Sequence, residues 1–181
     1  HRINRRQRQM CIRDRVRMLQ GDVGSGKTIV ALISMLHSIS DGSQSVLLVP
    51  TEILALQHYN TIKKLLAPMN INVALLLGAS RSNHNKKERI EVINSIANGQ
   101  VKVIIGTHAL ISKNVTYKNL SLAVIDEQHK FGVKQRYEIT KKGINVNILV
   151  MTATPIPRSL ALTAYGDMDM SIIKEKPIGR R

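Results

Sequence analysis

The sequence predicts an α/β domain, a mostly parallel sheet with helices on both faces. Three observations carry that prediction. Short runs rich in Val, Ile and Leu alternate with longer stretches of helical spacing, and βαβα alternation builds a parallel sheet. The short runs are apolar throughout rather than at every second residue, as befits strands covered on both faces. Gly21–Thr28 reads GDVGSGKT, a complete G-x-x-x-x-G-K-T phosphate loop set between one such run and one such helix.

Taken in order, His1–Arg15 is expected to lie outside the fold, as a disordered or foreign tail. It lacks periodicity, it is dense in Arg, and Met10–Arg15 (MCIRDR) looks like the translation of a transposon-end sequencing adapter. It is therefore kept out of the functional argument. The domain is expected over residues 16–175. Val16–Gln20 is its first strand and feeds the phosphate loop. The other expected strands are Val46–Val49, Val73–Leu77, Val103–Gly106, Leu122–Ile125 and Ile148–Thr152. Helical spacing or composition marks Ile29–Ser40, Glu52–Leu66, Lys86–Ala97, Lys134–Lys142 and Pro157–Tyr165. Gly42-Ser43, Pro50, Gly78, Asn98-Gly99 and Gly143 punctuate the elements. Such a sheet takes its ligand at the carboxyl ends of the strands, and each motif below follows a strand directly.

With 181 residues, 43% of them hydrophobic, the chain can bury a sizeable core. No apolar run is long enough to cross a bilayer. The single Cys11 excludes an internal disulfide and a cysteine metal cluster, so a reducing cytoplasm is the default compartment. The histidines are scattered without ligand spacing, which argues against zinc. A net charge of +15 points to a polyanionic partner, most often nucleic acid. Residues 1–17 hold seven Arg and one Asp, a net +6, which leaves +9 for the part that looks folded. Aromatic residues make up 3% of the chain, with no Trp. That composition suits tracking of a phosphate backbone better than stacking on bases.

The glycines of the loop let backbone N–H groups turn inward around a polyphosphate. Gly24, Ser25 and Gly26 form that cradle, with Gly21, Asp22 and Val23 leading into it. Lys27 reaches the β- and γ-phosphates, and the Thr28 hydroxyl binds Mg²⁺. The helix that follows turns its positive end toward the anion. Leu122–Glu127 reads LAVIDE. A buried strand ending in Asp126 presents a carboxylate to the same Mg²⁺, and Glu127 orients the attacking water. An acid pair at a strand end is by itself often only a solvated edge; its coupling to the phosphate loop makes it a site. Thr51 and Glu52 in PTEILALQ can cap a helix whose free N–H groups meet a nucleic-acid phosphate. Gly106, Thr107 and His108 repeat the device in IGTHAL. Thr152 and Thr154 in MTATPIPR offer hydroxyls to the acid motif.

In this order the motifs resemble those of the superfamily-two helicases and translocases. GDVGSGKT resembles motif I, PTEILALQ motif Ia, GTHAL motif Ib, DEQH motif II and TATP motif III, over a span from Val16 to the end. MLQGDVGSGKT, DEQHKFGV, MTATPIPR and AYGDMDMSIIKEKPIGR resemble the RecG family of bacterial branched-DNA helicases. Transcription-repair coupling factors share TATPIPR and FGV, but usually carry DEEH where Gln128 stands here and a bulky residue in place of Ser25. DEAD-box RNA helicases have Ala-Asp where this chain has Gln128-His129.

The resemblance implies a RecA-like P-loop NTPase lobe, the first motor lobe of a DNA helicase. ATP and Mg²⁺ would be served by Lys27, Thr28, Asp126 and Glu127. Gln128, His129, Thr152 and Thr154 would couple the site to movement on branched DNA, such as forks and Holliday junctions, during repair and recombination. The family's upstream wedge domain and adenine-contacting Gln segment find no counterpart; Gln7 and Gln9 are not that segment. Residues 176–181 would begin a linker to a second lobe that supplies an arginine finger. This chain would then be a monomeric fragment with weak activity of its own. The rival readings are a coupling-factor-type translocase lobe, a nucleotide- or nucleic-acid-binding module without turnover, and an RNA-directed motor.

Overall fold

The chain alternates strand and helix from its first described element. In a computed structural model, residues 16–78, 86–126, 133–154 and 169–174 are described, with backbone alone for residues 86 and 133–136. The elements are β1 (Val16–Gly21), α1 (Lys27–Ser40), β2 (Gln44–Leu48), α2 (Glu52–Leu66), β3 (Val73–Leu76), α3 (Lys86–Ala97), β4 (Val103–Gly106), β5 (Leu120–Asp126), α4 (Val133–Thr140), β6 (Asn147–Thr152) and β7 (Asp169–Ile173). Short 3-10 turns span Ala67–Met69 and His108–Ile111.

The seven strands form one sheet in the order β3-β4-β2-β5-β6-β1-β7. Every pairing is parallel, so all strands end on one edge. Period-2 alternation sorts the core into two layers. Val46 and Leu48 of β2, Ala123 and Ile125 of β5, and Ile148 and Val150 of β6 pack with Ile96 of α3 and Ile139 of α4. Leu47, Val124, Leu149 and Met151 point the other way, onto Ala31, Leu32 and Met35 of α1 and Ala55, Ile62 and Leu66 of α2. Both faces are covered, which is why the strands read as unbroken apolar runs.

The chain leaving β1 crosses toward β2, over β6 and β5, whereas the chain leaving β6 goes to β7 on the far side of β1. The carboxyl ends of β1 and β6 therefore lie at a topological switch point, where open α/β sheets form their ligand crevice.

Most expected elements appear within a few residues of their expected bounds. The expected helix over residues 134–142 is found as Val133–Thr140. The one expected over residues 157–165 lies outside the described residues. β7 was not expected as a strand. It is an edge strand with a half-exposed pattern, so it lacks the continuous apolar run of its neighbours. It is held to β1 by parallel pairing and by Arg17, whose Nη2 lies 2.8 Å from Asp169 Oδ2 and whose Nη1 donates to Ser171 Oγ at 3.3 Å. β2 begins two residues early, at Gln44, a buried polar side chain among apolar ones.

Candidate functional site

The site is assembled where β1 turns into α1. A Cβ at Gly21 would sit 2.6 Å from Ser25 Oγ and 3.2 Å from Ile173 Cβ, so any larger residue here would push Ser25 and Ile173 aside where the loop folds back. Gly24 (φ 80°) and Gly26 (φ 92°) are both left-handed, with Ser25 between them. Alternation of this kind turns successive N–H groups to one side and makes an anion-binding concavity. The Ser25 N–H donates to Asp22 O at 3.1 Å and closes the turn, leaving Val23 exposed at its tip.

Gly26 is the N-cap of α1, and no side chain caps the helix. Its carbonyl accepts from the N–H groups of Ile29 (2.9 Å) and Val30 (3.2 Å). Helix geometry leaves the N–H groups of Gly26, Lys27 and Thr28 without an intrahelical acceptor. The first turn holds no acid, so no carboxylate of the helix itself opposes an anion at its positive end. Lys27 Nζ lies over the loop, donating to Gly21 O (2.7 Å) and Asp22 O (2.8 Å). Thr28 is half-buried in the same turn.

Asp126 is the last residue of β5. It is in register with Met151 of β6, which is in register with Leu19 of β1. One strand therefore separates the carboxylate from the strand that feeds the loop, about 10 Å along the sheet edge. Asp126 and His58 of α2 are both largely buried, with side chains 16% and 14% exposed, and His58 Nε2 lies 3.2 Å from Asp126 Oδ2. His58 counted in the sequence only as one of several scattered histidines. Its one local signal is that it directly follows the PTEILALQ segment.

Thr152 follows Met151 and is buried. Its Oγ1 lies 2.8 Å from Thr154 Oγ1 and accepts from the Thr154 N–H at 3.2 Å. The two hydroxyls thus bond each other and fix the turn; a bond to Asp126 is not among their described contacts. Glu127, Gln128 and His129 lie outside the described residues.

The remaining candidates lie toward the other half of the same edge, at the ends of β2, β3 and β4. Thr51 caps α2 as expected, its Oγ1 accepting from the Leu54 N–H at 3.3 Å. Glu52 occupies the first turn of α2, where its carboxylate already answers the helix dipole and would repel a phosphate. It reaches toward Gly78: a Cβ there would lie 3.3 Å from Glu52 Oε1 and 3.7 Å from His108 Cε1. His108 is exposed.

The second capped helix expected at Gly106, Thr107 and His108 is not found. Thr107 precedes a four-residue 3-10 turn and caps it with no side-chain bond; its Oγ1 is buried without a partner. Gly106 has a packing role, since a Cβ there would meet Leu76 O at 2.1 Å across the β3–β4 pair.

The loop fits a polyphosphate on this geometry. Its two left-handed glycines form a cradle, and Ser25 Oγ is buried beneath it with no hydrogen-bond partner. Among the described residues no group of three or more His, Cys, Asp or Glu side chains lies together. Magnesium bound to a nucleotide needs no such cage; one or two protein oxygens suffice beside phosphate and water, and Thr28 and Asp126 carry such oxygens. Among the described residues no helix is long and apolar enough to cross a membrane.

Comparison with known proteins agrees with this fold. Residues 3–163 match the family model for the DEAD/DEAH box helicases. Over 165 residues the chain is 53% identical to the ATP-dependent DNA helicase RecG of Thermotoga maritima, covering 91% of this chain and 21% of that protein. A solved structure of RecG bound to a three-way DNA junction matches with a TM-score of 0.76 at 48% identity, over 91% of this chain and 21% of that one. The helicase domain of Pyrococcus furiosus Hef matches at a TM-score of 0.64 and 20% identity, over 97% of this chain and 38% of that one, and shows the shared fold alone. The fold is thus that of a RecA-like helicase lobe, and the chain spans about a fifth of the length of the RecG proteins it matches. A family model matched along most of the chain decides membership: this protein belongs to the DEAD/DEAH box helicases.

Proposed function

We propose that this chain is the nucleotide-binding motor lobe of an ATP-dependent helicase of the RecG kind, acting on branched DNA in the bacterial cytoplasm during repair and recombination. One observation carries the proposal. The cradle of residues 21–28 and the Asp126 carboxylate share the carboxyl edge of one parallel sheet, with a single strand between them. The similarity to RecG proteins supports DNA as the polymer. The lobe itself is assigned to residues 16–175.

The free N–H groups at the start of α1 bind phosphate oxygens, and Lys27 exchanges its two carbonyl partners for the outer phosphates. Bound magnesium, held by Thr28 and Asp126, would neutralise charge on the phosphates being separated. Glu127 orients water for attack on the terminal phosphate. Thr152, on the strand between the two halves of the site, belongs with Thr154 to the turn that relays nucleotide state to the DNA-facing edge. Without an arginine from a second lobe, hydrolysis by this chain alone is slower by a factor on the order of 10³ or more.

The test is titration of the chain with Mg-ATP, followed by single-turnover hydrolysis. Lys27→Ala removes charge-assisted bonds each contributing about 1.5–3 kcal/mol, so affinity falls roughly 10- to 100-fold. Glu127→Gln keeps binding and abolishes the slow hydrolysis. A wild-type chain that binds no Mg-ATP, or one whose hydrolysis survives Glu127→Gln, sinks the reading. In a two-lobe protein, branched DNA should stimulate turnover and RNA should not.

A further inference from the structure

We infer that His58 is a positioning residue for the Asp126 carboxylate, and that through this bond α2 holds the metal-binding group of the site in place. The inference rests on the reading of Asp126 as a metal ligand and adds to it a residue outside both the phosphate loop and the acidic motif. His58 lies on the second turn of α2, after the Thr51 cap. Its Nε2 is 3.2 Å from Asp126 Oδ2, and both side chains are largely withdrawn from water.

A carboxylate only accepts hydrogen bonds, so His58 must present Nε2–H. With Nε2–H committed to the carboxylate, that nitrogen of His58 does not compete for the metal. It occupies Oδ2 and leaves Oδ1, which has no hydrogen-bond partner among the described residues, to bind an ion. Asp126 ends its strand, and its side chain would otherwise swing about two torsions. A hydrogen bond from a different element removes that freedom before the ion arrives, so less order is lost on binding. Partners of ligating carboxylates act in this way, and their removal typically weakens metal affinity 10- to 100-fold.

A second feature makes the bond more than local satisfaction of a buried acid. α2 starts at Thr51 and Glu52, on the half of the sheet edge away from the phosphate loop, and lies against β3 and β4, with Ala55, Ile62 and Leu66 buried on its inner face. His58 is therefore a direct link between that helix and the carboxylate. It is separate from the Thr152–Thr154 turn, whose hydroxyls bond each other.

The experiment measures Mn²⁺ binding to the 181-residue chain with ADP, from the electron paramagnetic resonance signal of free Mn²⁺, in variants whose folding is checked by circular dichroism. His58→Gln keeps an N–H donor at nearly the position of Nε2; His58→Phe keeps ring volume without a donor. Expected is a loss of Mn²⁺ affinity of about 10- to 100-fold for Phe and recovery to within about threefold of wild type for Gln, with ADP affinity in the absence of metal unchanged in both. Equal Mn²⁺ affinity in the two variants overturns the inference. Asp126→Asn separates the two readings. If it leaves Mn²⁺ binding intact, Asp126 is not a ligand and the underlying reading fails; if it removes binding while Phe and Gln behave alike, only the role of His58 fails.

Discussion

Gln44 does more for this fold than its polarity suggests. It is almost fully buried in β2. Its amide nitrogen donates to Ile96 O (2.9 Å) and Val101 O (2.8 Å), and its oxygen accepts from the N–H groups of Lys118 (2.9 Å) and Asn119 (3.2 Å). One side chain thus satisfies backbone groups from the end of α3, the approach to β4 and the approach to β5. Gln44→Ala would leave these groups in an apolar setting, at about 1–3 kcal/mol for each one that finds no water. We expect a net loss of about 3 kcal/mol, seen as a lower urea midpoint with an unchanged slope. Tyr117 is a second such case: its hydroxyl donates to Leu110 O at 3.0 Å. Burial raises its phenol well above the ordinary value of 10.0, because the charged form loses hydration. The unfolded chain releases this proton near pH 10 and the folded chain keeps it. Stability is therefore intact below pH 10 and falls as pH rises above it. Tyr117→Phe should cost about 1 kcal/mol at neutral pH and flatten the decline above pH 10 in denaturant titrations.

At the scale of elements, α2 and β7 show two ways of being held. α2 is fixed at its start by the Thr51 cap and along its length by Ala55, Ile62 and Leu66. The cap contributes typically about 1 kcal/mol, so Thr51→Ala should lower the unfolding free energy by that amount. If α2 also carries the Asp126 partner, the same substitution should leave Mn²⁺ affinity nearly unchanged, since packing rather than the cap places His58 in the second turn. β7 has little burial of its own. Its Arg17–Asp169 pair is about half exposed, and pairs of that kind contribute at most about 1 kcal/mol. The ladder to β1 and the contact of Ile173 beneath Gly21 are what keep it on the sheet.

Over the whole molecule, charge and site are separable. The chain carries +15, of which residues 1–15 hold six Arg and one Asp. Non-specific DNA affinity follows the number of phosphates neutralised and falls steeply with salt. Deleting residues 1–15 should therefore weaken low-salt DNA binding and flatten its salt dependence. Mg-ATP affinity should not move, because every residue of the cradle and Asp126 lies at or beyond residue 21. A fluorescence-anisotropy salt series beside a nucleotide titration checks both halves; a drop in nucleotide affinity would place the tail in the site.

The layered parallel sheet, the phosphate loop and the acid at the end of β5 are all legible in the order of the amino acids. Each is a local signal: an apolar run covered on both faces, glycines spaced for a cradle, a strand that ends in Asp. The rest emerges only when the chain is folded. β7 had no apolar run to betray it, because an edge strand buries little. Gly106 is glycine because Leu76 of the neighbouring strand presses on it, a constraint invisible along one chain segment. Thr107 was read as a cap by its type and place, yet a 3-10 turn follows it. Gln44 and His58 look like ordinary polar residues, and what they do depends on partners brought to them from 52–75 and 68 positions away. Patterns of hydrophobicity and backbone freedom are written in consecutive residues; hydrogen bonds across a sheet are set only when the strand order closes.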